Sequence, residues 1–214
     1  DPTTNTGTGR LFYKEVNNDF DDTSTVLLLH GEGTNASTVF TDSSSTPLVV
    51  TASGNAQIDT ANKKFGSSSM AFSAFGDTLS VPASDDWDFG SDNFTIDFWV
   101  HHNNGGAQNG GYIRHNGGSG SDGWTVTLDN AASGYFSFHA NANATAQSGL
   151  FAPAADTWYH IAIVRSGNTI FLFIDGTLSN SSAFSTTIPP SSDTLEVAQG
   201  TTYSRGVWVQ SSLY

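Results

Sequence analysis

Cysteine is missing altogether from this 214-residue chain. That absence excludes disulfide frameworks and thiolate metal sites, and it removes the commonest strong nucleophile. A eukaryotic secreted domain more often carries a disulfide, so the expectation leans to a bacterial or viral source. Positive charge is scarce: 7 Lys and Arg face 20 Asp and Glu, for a formal charge of −13. Such a balance disfavours nucleic acid and anionic membrane surfaces, whose phosphates are met by clustered cations. No apolar run approaches the 18 or so residues that a membrane helix needs, and no signal-peptide core is seen. There is one methionine, Met70, so the sequence starts at Asp1 without an initiator and is expected to be a processed product or a piece of something longer. Helix-period stretches are lacking too. What remains is 22 Gly with abundant Ser, Thr and Asn between short apolar runs, the pattern of an all-β sandwich or barrel.

The densest of those runs is 158–176, WYHIAIVRSGNTIFLFIDG. Residues 158–164 and 169–174 are mostly β-branched, aromatic or aliphatic and suit a pleated surface. Gly167 and Asn168 can reverse the chain between them, and Asp175-Gly176 suits a two-residue hairpin turn. Trp158, Ala162 and Val164 share one face, and Tyr159, Ile161 and Ile163 the other, so a strand covered on both sides is expected in an antiparallel sandwich. In 94–100, Phe94, Ile96, Phe98 and Val100 alternate with Thr95, Asp97 and Trp99. Met70, Phe72, Leu79 and Val81 form the inward set of a hairpin around Gly76-Asp77. Further strands are expected at 25–29, near 39–41, 48–52 and 56–58, at 112–115, 123–128 and 135–139, and near 194–198 and 206–210. Residues 103–111 and 140–156 read as loops, and 1–23 as an N-terminal arm or linker before one domain over 24–214.

The string WYHIAIVR, its Ser-Gly-Asn turn and IFLFIDG resemble the central hairpin of laminin G-like jelly-roll domains of the concanavalin A-like lectin and glucanase superfamily. LLLHGEGTNAST, FTDSS, KFGSSSMAF and GDTLSVPASDDWDFGSDNFTIDFWV agree with it. The resemblance implies an antiparallel jelly-roll β-sandwich. It also implies a structural Ca²⁺ near the N-terminal loop, for which Glu32 and Asp42 match the acidic positions. The family's usual closing strand, G-x-I-D-E-x-R-I, is not found before Leu213-Tyr214. A truncated C-terminus is therefore expected, or else an open strand position that another chain could fill.

Retaining glycosidases need two carboxylates roughly 5 Å apart. Glu15, Glu32 and Glu196 are scattered, only Asp97 lies inside a clearly alternating strand, and no E-x-D-x-E string occurs, so no enzyme activity is expected, a polysaccharide-degrading enzyme being the weaker alternative. His101 and His102 are adjacent on a strand and must point to opposite faces, which disfavours a shared zinc ion. Asp85-Asp86-Trp87-Asp88 reads as a solvated acidic turn. Carbohydrate recognition needs flat aromatic faces and a few polar groups. Asp97, Trp99 and His101, then Tyr112 and Arg114, then Tyr135 and His139 would form one such platform if their strands are neighbours. Packing under a second layer suits Trp99 equally well. The expectation is a non-catalytic recognition or structural module of an extracellular or virion-surface assembly, similar to modules of phage tail fibres, capsid-decorating fibres and bacterial adhesins. Its expected partners are cell-surface glycans or other virion or surface subunits.

Overall fold

A computed structural model describes residues 24–103, 110–116, 122–129, 134–140, 144–198 and 207–213. The N-terminal arm assigned to 1–23 lies outside them. The described strands are β1 (Leu27–Leu29), β2 (Thr51–Ser53), β3 (Gln57–Asp59), β4 (Ser69–Phe72), β5 (Thr78–Val81), β6 (Phe94–His102), β7 (Gly110–His115) and β8 (Trp124–Asp129). They continue as β9 (Tyr135–Ala140), β10 (Ala144–Leu150), β11 (Thr157–Ser166), β12 (Thr169–Ile174), β13 (Thr177–Ala183), β14 (Leu195–Val197) and β15 (Val207–Leu213). One 3-10 turn, Asp85–Trp87, breaks the series, capped by Ser84 Oγ accepting from Asp86 N.

All pairings are antiparallel and fall into two sheets. Sheet A runs β13-β12-β11-β6-β15-β4-β3, with β1 also paired to β15, and sheet C runs β10-β9-β8-β7-β14-β5-β2. The inward residues of both form one core: Ile96, Phe98, Val100, Ile161, Ile163, Ile170 and Leu172 from sheet A meet Val126, Leu128, Phe136, Phe138, Leu195 and Val197 from sheet C. Period-two alternation sends the intervening side chains to the two outer faces, which look in opposite directions. Met70, Phe72, Leu79 and Val81 are all fully buried, as their inward assignment predicts. The expected hairpin around Gly76-Asp77 is not formed: β4 and β5 lie in opposite sheets, so the 73–77 turn carries the chain from one sheet to the other. The turn after β12 takes positive φ at both Asp175 (49°) and Gly176 (73°), the backbone that Asp-Gly favours in a hairpin.

Three further expectations are corrected. Residues 140–156 are not one loop, since β10 occupies Ala144–Leu150; ATAQSGL is mostly small or polar and holds a single β-branched residue, Thr145, so the usual strand signature is faint. β7 begins at Gly110, inside the segment assigned to a loop. The closing strand is present as VWVQSSL, without the acidic string of the family pattern, and it pairs β6 on one side and β4 and β1 on the other. The open strand position is thereby filled from within the chain.

Candidate functional site

β6 and β11 pair over nine residues, and their register fixes what stands side by side on the outer face of sheet A. Trp158 is opposite His101, His160 opposite Trp99, and Ala162 opposite Asp97. Trp99 is half-buried at the middle of this group. Its ring lies 5.1 Å from the His160 ring and makes an edge-to-face contact at 5.4 Å with Phe65, which is 54% exposed. Lys64 Nζ sits 4.2 Å from the Trp99 centroid and 5.9 Å from that of Phe65, within the range of a cation–π contact. His160 Nε2 approaches Asp97 Oδ1 at 3.6 Å, and the His160 amide donates to Asp175 Oδ1 at 2.8 Å. Trp158 packs on His101 with centroids 5.2 Å apart. The result is an aromatic row, Phe65-Trp99-His160, with a cation near one ring and a carboxylate beside another.

The single platform expected from sequence is not formed, because its residues divide between two sheets. Asp97, Trp99 and His101 share the outer face of sheet A, with His101 only 4% exposed. Arg114, Tyr135 and His139 lie on the outer face of sheet C, where Arg114 Nε donates to Glu196 Oε2 at 2.5 Å and His139 Nε2 lies 3.1 Å from Thr127 Oγ1. Tyr112 belongs to neither surface. A register shift between Gly111 and Ile113 turns it into the core, where its hydroxyl shares a 2.9 Å hydrogen bond with His102 Nε2. Burial, with the neighbouring His101 as the smaller cause, pushes the His102 pKa down to about 4, and burial raises that of Tyr112. Lys64, Phe65, Trp158 and His160 were not singled out from the sequence. Lys64 and Phe65 sit on a loop whose periodicity cannot assign a face, although KFGSSS was already conspicuous.

Glu32 and Asp42 serve separate networks. Asp42 is 3% exposed and accepts four hydrogen bonds: Leu28 N at 3.0 Å and Ser44 N at 2.9 Å on Oδ1, Ser44 Oγ and Leu48 N at 2.9 Å on Oδ2. Glu32 receives the Ser67 amide and hydroxyl, and these hydrogen bonds are the largest influence holding its pKa down. Both carboxylates thus serve as acceptors for loop amides and hydroxyls. Among the described residues, no group of three or more His, Asp and Glu could hold a metal ion. Asp85, Asp86 and Asp88 belong to a turn, beside an open depression of about 460 Å³ lined by Ser84, Asp85, Asp88 and Ser191. Asp88 Oδ1 accepts from Ser191 N at 2.9 Å and lies 3.1 Å from His115 Nε2, so that carboxylate ties two loops together.

Around Asp97 the strand register places no second acid. Its cross-strand partners are Ala162 and Ser212, its neighbours along β6 are Thr95 and Trp99, and the diagonal positions on β11 are His160 and Val164. Another carboxylate, that of Asp175, reaches the same strand pair through the His160 amide.

A family model described as the concanavalin A-like lectin/glucanases superfamily matches residues 72–210. No match is found among curated protein sequences. Among solved structures, the chain is similar to the binding domain of Paraclostridial Mosquitocidal Protein 1, at 14% identity and a TM-score of 0.69 over 89% of this chain and 48% of that one. It is also similar to the binding domain of botulinum neurotoxin DC in complex with rat synaptotagmin II, at 16% identity and a TM-score of 0.66 over 90% and 48%. A third is a structure of botulinum neurotoxin type C, whose cell entry depends on interaction with two ganglioside molecules, at 15%, 0.66, 90% and 48%. The chain spans about half the length of these structures, and at such identity the likeness is one of fold.

Proposed function

The chain belongs to the concanavalin A-like lectin/glucanases superfamily, and from that premise we propose that it is a non-catalytic module that binds carbohydrate on the outer face of sheet A. The observation that carries this is the row Phe65-Trp99-His160 flanked by Asp97. Sugar C–H faces stack on exposed rings, and a carboxylate and an imidazole take hydroxyl hydrogen bonds. A rigid, strand-borne Trp99 and His160 need little ordering on binding, which favours affinity. The similarity to binding domains of toxins supports a recognition role and leaves the ligand open. The finer proposal is a module of an extracellular assembly, a phage tail or capsid-decorating fibre above all, consistent with the acidic, cysteine-free composition.

A glycan array at millimolar calcium, repeated with chelator, tests the proposal, using the wild type beside Trp99→Ala. Saccharide binding by the wild type that Trp99→Ala weakens tenfold or more, with an unchanged circular dichroism spectrum, is the expected result. Silence on every sugar by a folded protein would count decisively against it.

A second proposal, subunit packing, is favoured by a different part of the same face. Val164, Phe171 and Phe173 point outward there, paired across β11 and β12, and Leu178 on β13 is 50% exposed. Light scattering tests it, and a strict monomer at high concentration would remove it.

A further inference from the structure

We infer that the saccharide bound on sheet A carries an anionic group, a carboxylate or a sulfate ester, and that Lys64 receives it. This rests on the carbohydrate-binding function proposed above and narrows its ligand class. In a chain of formal charge −13, a cation placed on a recognition face is the exception to be explained. Among the described residues the Lys and Arg are four. Arg114 is neutralised by Glu196, Arg165 is buried with its guanidinium on three backbone carbonyls, and Lys63 Nζ donates to Thr60 O at 2.9 Å. Lys64, itself exposed, instead rests its ammonium 4.2 Å from the centroid of the half-buried Trp99 and 5.9 Å from that of the exposed Phe65. Ring faces attract the ammonium weakly and leave its N–H donors free for a stronger acceptor, and its four-carbon stem lets it move to meet one.

The face is therefore bipolar. Asp97, two residues along β6 from Trp99, is held at 3.6 Å by His160 and suits hydroxyl donors. Lys64, over the indole itself, suits an anion. A neutral sugar would use the rings and Asp97 but leave the ammonium without a partner. The acidic surface elsewhere repels anions, so attraction would be local to this point and sensitive to salt.

The test uses two matched ligand pairs: an oligosaccharide containing uronic acid with its carboxyl-reduced counterpart, and a sulfated oligosaccharide with its desulfated parent. Isothermal titration of the full chain is expected to show the acidic member of at least one pair binding about five- to tenfold tighter at low salt. That preference should shrink in 0.5 M NaCl, collapse in Lys64→Gln and persist in Lys64→Arg; which pair shows it tells carboxylate from sulfate. Equal binding of both members, or a preference that Lys64→Gln leaves intact, overturns the inference while the carbohydrate function stands. If no member binds and Trp99→Ala is indistinguishable from the wild type, both fall together.

Discussion

Two buried polar arrangements of the interior bear on stability, the His102–Tyr112 pair and Arg165. His102 and Tyr112 meet across the core, one from each sheet, and burial holds the imidazole neutral by lowering its pKa from 6.5 to about 4. In the unfolded chain the same imidazole takes its proton near 6.5, so between those values the unfolded state binds more protons and stability falls as pH falls. The loss is complete below pH 4 and amounts to at most about 3 kcal/mol. Urea titrations from pH 7 to 4 should show this decline, and His102→Gln should flatten it. Arg165 is the second case, 2% exposed and donating to Gly167 O, Gly90 O and Thr186 O at 3.1, 2.9 and 3.1 Å over the Phe184 ring. Arg165→Met removes the donor from three carbonyls, of which Gly90 O keeps the Ile188 amide, and is expected to cost about 2 kcal/mol in urea denaturation. Arg165→Lys recovers only part of this, because an ammonium lacks the planar fork.

Loops of this sandwich are pinned by single carboxylates. Asp42 ties the 40–48 segment to β1, and Asp77 does the same between Asn55 N at 2.6 Å and the amides of Ser73 and Ala74 at 2.7 Å. Asp42→Ala removes the acceptor for three amides and should lower stability by about 2 to 4 kcal/mol, with Asp42→Asn milder, as read from thermal melts. Gly123 marks another fixed point: its φ is +59° and an added Cβ would fall 1.6 Å from the His115 carbonyl oxygen. Gly123→Ala should therefore destabilise strongly and loosen the entry to β8, visible as faster amide exchange there. Strands whose alternation is clean, such as β6 and β11, were readable from sequence, as were the inward sets of β4 and β5. β10 was hidden because small residues carry no periodic signal. The site was half legible: Asp97 and Trp99 follow from the pattern of β6, but their neighbours depend on strand order, which local alternation does not encode. Tyr112 was misassigned for a related reason, since one irregular register step at Gly111 moves it from the surface to the core.

At the scale of the whole molecule, the two outer faces differ in kind. Sheet C shows Arg114 with Glu196, and His139 with Thr127, while sheet A shows rings. Substitution of Trp99 should therefore abolish recognition, whereas Tyr135→Ala on the opposite face should leave it within about twofold in the same titration. The lectin-type fold was legible as a sandwich from turn spacing and alternation, but which strands flank which was not. The placement of β15 shows why this matters. Residues 207–213 are wedged between β6 on one side and β4 and β1 on the other, so sheet A is three unconnected pieces, β13-β12-β11-β6, β4-β3 and β1, until they arrive. On a ribosome, synthesis must run past residue 207 before the seam can be zipped, at a pace of roughly 5 to 20 residues per second. The nascent chain must wait through that interval with the flanks of β6 and β4 unpaired, and a transcript cut short there would yield a polypeptide prone to clump.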